Sequence, residues 1–110
     1  LKEQVQEVVL KYLHEGTIDI EMVSQQFHIS RWTLNRKLSS EGTSFQEILA
    51  VVRKNLAIDY LNHSGFSIQQ IAQLLGFTNH SCFPKAFKRW YGMTPLEYRK
   101  IHQFSKNGLL

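Results

Sequence analysis

The stretch "IDIEMVSQQFHIS", Ile18 to Ser30, returns as "FSIQQIAQLLGFT", Phe66 to Thr78, at an offset of 48 residues. Ile20 pairs with Ile68, Val23 with Ile71, Ser24 with Ala72, Phe27 with Leu75, Ile29 with Phe77 and Ser30 with Thr78. One inserted residue later, Leu34 and Leu38 pair with Phe83 and Phe87; a further insertion pairs Gly42 with Gly92 and Ser44 with Thr94. Whatever unit the first copy folds into, the second must fold into as well.

The periodicity says what that unit is. Apolar residues recur at helical steps throughout, and no alternating, strand-like run is sustained. Leu1, Val5, Val8, Val9, Tyr12 and Leu13 form one stripe, ending before Gly16. Asp19 is placed to cap a short helix carrying Ile20, Val23 and Phe27, and Ser30 to cap another carrying Leu34 and Leu38. Gly42 ends that helix. Ser44 opens the longest one, reaching about His63, whose apolar residues cover more than one face and predict packing on both sides. Gly65 and Ser67 reset the chain for Ile68 to Leu75; Thr78 is expected to open a sixth helix that Gly92 closes. Pro95, at a favoured first-turn position, starts a last helix to about Phe104, with a frayed tail from Ser105 to Leu110.

The expectation is an all-α chain of about seven helices. Residues 1–43 form one subdomain, 44–63 a long linking helix and 64–104 a second subdomain. Each copy reads as a short helix, a tight turn and a capped basic helix, which is a helix-turn-helix. In that motif the first helix braces the second, whose N-terminal residues meet base edges in the DNA major groove. Ser24 and Ala72 are small enough for the two helices to approach closely. Gly76 supplies a left-handed turn residue, and His28 takes its place in the first copy at some cost. The linking helix, at about 20 residues, is roughly 30 Å long. That approaches the roughly 34 Å between successive major-groove faces, so one chain can serve two adjacent grooves.

Charge placement agrees. The net charge is +4, but Arg31 to Lys37 holds three cations and no acid, and Lys85 to Lys100 holds five against Glu97 alone. With 43% apolar residues in 110, the chain can build a packed domain, and no run approaches the roughly 18 apolar residues of a membrane helix. The chain opens at Leu1 without methionine or a signal-like segment, and is expected to be an excised piece of a longer cytoplasmic protein.

The run I-A-x-x-L-G-F, followed by F-x-x-A-F-K-R-W-x-G-M-T-P-x-E-Y-R, resembles the signature of the AraC/XylS family of bacterial transcription regulators. The less patterned "SRWTLNRKLSSEGTSFQE" fits the first half of the same domain, so the resemblance covers about Val5 to Lys100. It implies a seven-helix DNA-binding domain of two subdomains. It also implies a separate sensing or dimerisation domain N-terminal to this one, with double-stranded DNA and RNA polymerase as partners.

Carried over by position, the family's base-reading residues fall on Arg31, Trp32, Asn35 and Arg36, which lie off the Leu34/Leu38 stripe. Arg36 suits a bidentate contact to guanine and Asn35 one to adenine; Trp32 offers apolar contact to a thymine methyl or sugar. The alternatives are a satellite core residue for Trp32, and a phosphate contact or solvated charge for Arg36. In the second unit the positions are Asn79, His80, Ser81 and Lys85, three of which depart from the residues the family often carries. Lys85 can meet guanine or phosphate without arginine's rigid fork, and His80 is either a modest base reader or a solvent-facing histidine. Lys37, Ser44, Lys88, Arg89 and Thr94 are candidate phosphate contacts or ordinary surface groups. Cys82 reads as a small packed contact rather than a redox centre.

Pro84 breaks the pattern. Counted from Thr78 it lies near the sixth helical position, where proline costs roughly 3 kcal/mol or more. Either the helix starts late, with Cys82 or Phe83 near the cap and "TNHS" as a loop, or it starts early and kinks. Both blunt the front of the second reading helix, so the first unit is expected to carry most sequence discrimination. No histidine pair has metal-ligand spacing, no Ser, His and acid set suggests catalysis, and no glycine-rich loop suggests a nucleotide. No metal, cofactor or enzymatic activity is expected. A helical protein-interaction module is the rival reading, but it leaves the duplicated cations without a purpose.

Overall fold

Polar caps open five of the seven α-helices. Asp19, Ser30, Ser44 and Ser67 each accept a hydrogen bond from the backbone N–H three residues on, at 2.8 to 3.2 Å, and Thr94 Oγ1 does the same for Glu97 at 3.2 Å. The computed structural model describes residues 1–108, with side chains described through 102. Helix α1 spans Lys2–Tyr12 and runs into a 3-10 turn, Leu13–Glu15. Then follow α2 (Ile20–Gln26), α3 (Arg31–Ser40), α4 (Phe45–His63), α5 (Ile68–Leu74), α6 (Cys82–Tyr91) and α7 (Pro95–Gly108). No strand occurs among the described residues. Helix α7 outlasts its expected end at Phe104 and takes in residues 105–108 of the tail expected to fray; the last two residues, and side chains beyond 102, lie outside the described residues.

Helix α4 packs against α1, α5 and α7, as its two-sided apolar pattern requires. One continuous core results, from Val5 and Val9 through Ile48, Val52 and Ala57 to Ile71, Phe83 and Phe87. Val51, although apolar, is exposed.

The repeat is reproduced in the two bonds that close each turn. Ile29 N–H bonds Ser24 C=O at 3.2 Å and His28 N–H bonds Gln25 C=O at 3.1 Å. Phe77 and Ala72 match the first pair at 3.1 Å, and Gly76 and Gln73 the second at 3.0 Å. This is the Schellman arrangement, which needs a left-handed residue just past the helix. His28 (φ 56°) and Gly76 (φ 81°) supply it. The residues differ because their surroundings differ. His28 is exposed, whereas a Cβ on Gly76 would lie 2.5 Å from the backbone oxygen of Leu13. Ser24 and Ala72 are both buried beneath their turns, as expected of small bracing-helix residues.

The second reading helix does not open at Thr78. Helix α6 begins at Cys82 with Ser81 as its N-cap residue, so the late start is the one the chain adopts. Pro84 becomes the third helical residue, inside the first turn, where no intrahelical partner exists for the N–H it lacks. The large penalty of an interior proline therefore does not arise. Residues 78–81 form bends and a turn, closed by Asn79 Oδ1, which accepts from Ser81 N–H at 3.0 Å and Ser81 Oγ–H at 2.7 Å. Cys82 N–H bonds Asn79 C=O at 3.0 Å, tightening the entry.

Candidate nucleic-acid interface

Helix α3 turns its Leu34/Leu38 stripe fully inward, both residues being 0% exposed. At 3.6 residues per turn, Arg31, Trp32, Asn35 and Arg36 then share an arc of about 140° on the outer side, and all four are exposed. Trp32 is 66% exposed, which removes the satellite-core alternative. The Arg36 guanidinium carbon lies 4.7 Å from the centre of the Trp32 ring, and Arg31 Nε lies 3.5 Å from Glu21 Oε1 on the bracing helix. In solvent such contacts contribute little to stability. They place Arg36 over the Trp32 ring and Arg31 beside Glu21. Lys37 is exposed one residue further along.

The second unit is built differently. Asn79, His80 and Ser81 are exposed in the turn that precedes α6 rather than on the helix, and only Lys85 presents a candidate reading side chain from the helix itself. His80 Nδ1 lies 2.9 Å from Gln69 Nε2. Where the amide nitrogen donates, Nδ1 accepts and the neutral His80 ring carries its proton on Nε2. Cys82, expected as a packed contact, is exposed at the first helical position. Lys88 and Arg89 occupy the last turn, where cations favour the helix dipole. Thr94 and Glu97 form a reciprocal cap, with Thr94 N–H bonding Glu97 Oε1 at 3.0 Å. That bond, with the Thr94 hydroxyl second, holds the Glu97 carboxyl below its ordinary value, so both Thr94 donors face the carboxylate. Ser44 Oγ accepts from Glu47 N–H in its own cap.

Two arginines that sequence reasoning passed over tie the second unit to the linking helix. Arg53 of α4 donates from Nε to Leu75 C=O at 2.8 Å and from a terminal nitrogen to Gly76 C=O at 3.3 Å. Burial lowers the basicity of Arg53, though an arginine stays charged near neutral pH. Arg99 of α7 donates to Phe66 C=O at 2.6 Å and Tyr60 C=O at 3.4 Å, fastening the α4–α5 connection. The only advance signal for Arg53 was a cation within the apolar run of α4. Arg99 had none beyond its place in the signature.

Among the described residues no three His, Cys, Asp or Glu side chains gather as a metal site, and no helix is long and apolar enough to cross a membrane. The surface that remains is two exposed, basic, hydrogen-bonding helix fronts, one per repeat, joined by a helix of 19 residues.

The family model described as a helix-turn-helix domain matches residues 23–101. The chain is 43% identical over 82 residues to the ornithine utilization regulator of Pseudomonas aeruginosa, covering 74% of this chain and 24% of that protein. It is 32% identical over 103 residues to the HTH-type transcriptional regulator AdiY of Escherichia coli, covering 94% and 40%. The chain thus spans well under half the length of these curated relatives. Among solved structures, the DNA-binding domain of AdpA in complex with a target DNA superposes with a TM-score of 0.84 at 26% identity, covering 96% of each chain.

Proposed function

The chain belongs to the AraC/XylS-type helix-turn-helix family of DNA-binding transcription regulators, and on that premise we propose that it reads duplex DNA with two recognition elements in successive major-groove segments. The observation that carries this reading is the duplicated bracing helix, Schellman turn and exposed basic front. Its longest dimension of 52 Å exceeds the roughly 34 Å separating such segments. The division into residues 1–43, 44–63 and 64–104 follows from the same repeat.

In the first unit Arg31, Trp32, Asn35 and Arg36 read bases. Arg36, steadied on Trp32, offers two parallel donors to guanine O6 and N7, and Asn35 a donor and acceptor to adenine. In the second, Asn79, His80 and Ser81 meet base edges from the turn and Lys85 from the helix. His80 offers the Nε2–H donor, which suits a purine N7 or a carbonyl oxygen. Lys37, Lys88, Arg89 and the helix starts at Ser44 and Thr94 take phosphates, fixing register without selecting sequence. The first unit carries the larger share of discrimination, because four readers converge there on one continuous helix. The intact protein acts in the cytoplasm, engages RNA polymerase, and dimerises, where it does, through a domain outside this chain.

Selection of bound fragments from random duplexes tests the proposal. An enriched motif of two parts, with affinity falling steeply as salt rises, is the expected result. Recovery of no preferred sequence would refute it.

A further inference from the structure

Arg53 stands in the middle of α4, half-buried, and none of the roles above uses it. Its guanidinium meets the α5–α6 turn in two ways at once. The edge donates to the carbonyls of Leu75 and Gly76, and the face lies 4.3 Å from the centre of the Phe77 ring. Phe77 in turn packs against Phe83, ring centres 5.8 Å apart, and Phe83 is the second residue of α6. A short, fully packed path therefore leads from the linking helix to the front of the second recognition helix.

The first unit has no counterpart. The corresponding carbonyls, of Phe27 and His28, receive no side-chain donor among the described residues. Helix α3 is instead capped at its own front by Ser30. Helix α6 lacks that provision: its N-cap residue makes no side-chain cap bond, and Pro84 has no N–H to offer. The Asn79 turn closes its entry and the buried Phe83 and Phe87 anchor its body, while Arg53 meets the turn before it from the linking helix. Lysine could not do so, since a compact ammonium has no plane to lay on Phe77 while bonding both carbonyls.

We infer that Arg53 is a positioning residue for the second recognition helix, holding the Leu75–Phe77 turn so that the residues around the start of α6 meet their bases at a fixed angle. This rests on the DNA-reading role proposed above.

The test is a base-pair substitution scan across a selected duplex, with the unmodified protein, Arg53→Met and Arg53→Lys, each at a temperature where circular dichroism shows it folded. The unmodified protein should show penalties on the order of fivefold per critical base pair in the second segment and larger ones in the first. Arg53→Met should flatten the second set to within about twofold while leaving the first unchanged, and lysine should not restore it. If the methionine variant does not fold, Arg53→Lys alone decides, with the same selective loss expected. Equal weakening in both segments, no change in either, or full activity of the lysine variant would overturn the inference. An unmodified protein with no penalty in either segment would overturn the DNA-reading proposal as well.

Discussion

Gly76→Ala probes the point where the second turn meets the 3-10 turn that follows α1. Any residue other than glycine at φ 81° meets the left-handed penalty, about 1–2 kcal/mol for an L-residue, partly offset by a stiffer unfolded chain, about 0.4–1 kcal/mol. Gly42, at φ 79° with nothing within 4 Å of an added Cβ, isolates that effect, so Gly42→Ala should cost about 1 kcal/mol. At Gly76 the new methyl would stand 2.5 Å from the Leu13 backbone oxygen, so backbone on one side must retreat. Retreat of the turn withdraws two carbonyls from Arg53, at about 1 kcal/mol per hydrogen bond. The total for Gly76→Ala is then about 3 kcal/mol, roughly three times the control. Thermal unfolding monitored by circular dichroism resolves the difference, since each kcal/mol moves the midpoint of a domain near 100 residues by about 4–8 °C. Gly76→Ala should melt at least about 12 °C below the unmodified protein and Gly42→Ala about 4–8 °C below it. Equal midpoints for the two variants would refute the close approach.

Arg36→Ala should cost about 1–3 kcal/mol on the preferred duplex and relax selection at one base pair, whereas Lys88→Ala should weaken all duplexes alike and lower the salt slope by about one; titrations at several salt concentrations separate the two. Pro84→Ser should change stability by less than about 1 kcal/mol in urea unfolding, because the proline already sits where no N–H is needed; a gain near 3 kcal/mol would mean it strains the helix. Glu97→Gln should narrow stability at neutral pH but not in acid. The Thr94 N–H holds the folded carboxyl below its ordinary 4.5, so the stabilisation is present above that pH and is lost as pH falls through the folded value. Unfolding midpoints of the two proteins should converge in acid.

Local chemistry made most of the fold legible. Caps at Asp19, Ser30, Ser44 and Ser67, the stripe that buries Leu34 and Leu38, and a left-handed His28 in the place of Gly76 all follow from residues within one turn of each other. The start of α6 was legible only as one of two alternatives, because Thr78 matched Ser30 in the repeat while Pro84 argued for a later front near Cys82 or Phe83, which is the one adopted. A repeat reports which residues correspond, not how an insertion is absorbed. Arg53 and Arg99 were missed for a different reason. They bond carbonyls 22 to 39 residues distant, and a backbone acceptor leaves no mark in a side-chain pattern. The exposed arc of Arg31, Trp32, Asn35 and Arg36 was legible because a helix converts spacing into direction. The face of the second unit, displayed largely from a turn, has no such rule.

Methylation protection of guanine N7 across a selected duplex, under saturating protein, asks most directly whether one chain seats two recognition elements. Two protected clusters about 10 base pairs apart on one face of the DNA are predicted, the first lost selectively in Arg36→Ala. A single protected cluster at saturation, or two that respond equally to Arg36→Ala, would contradict it.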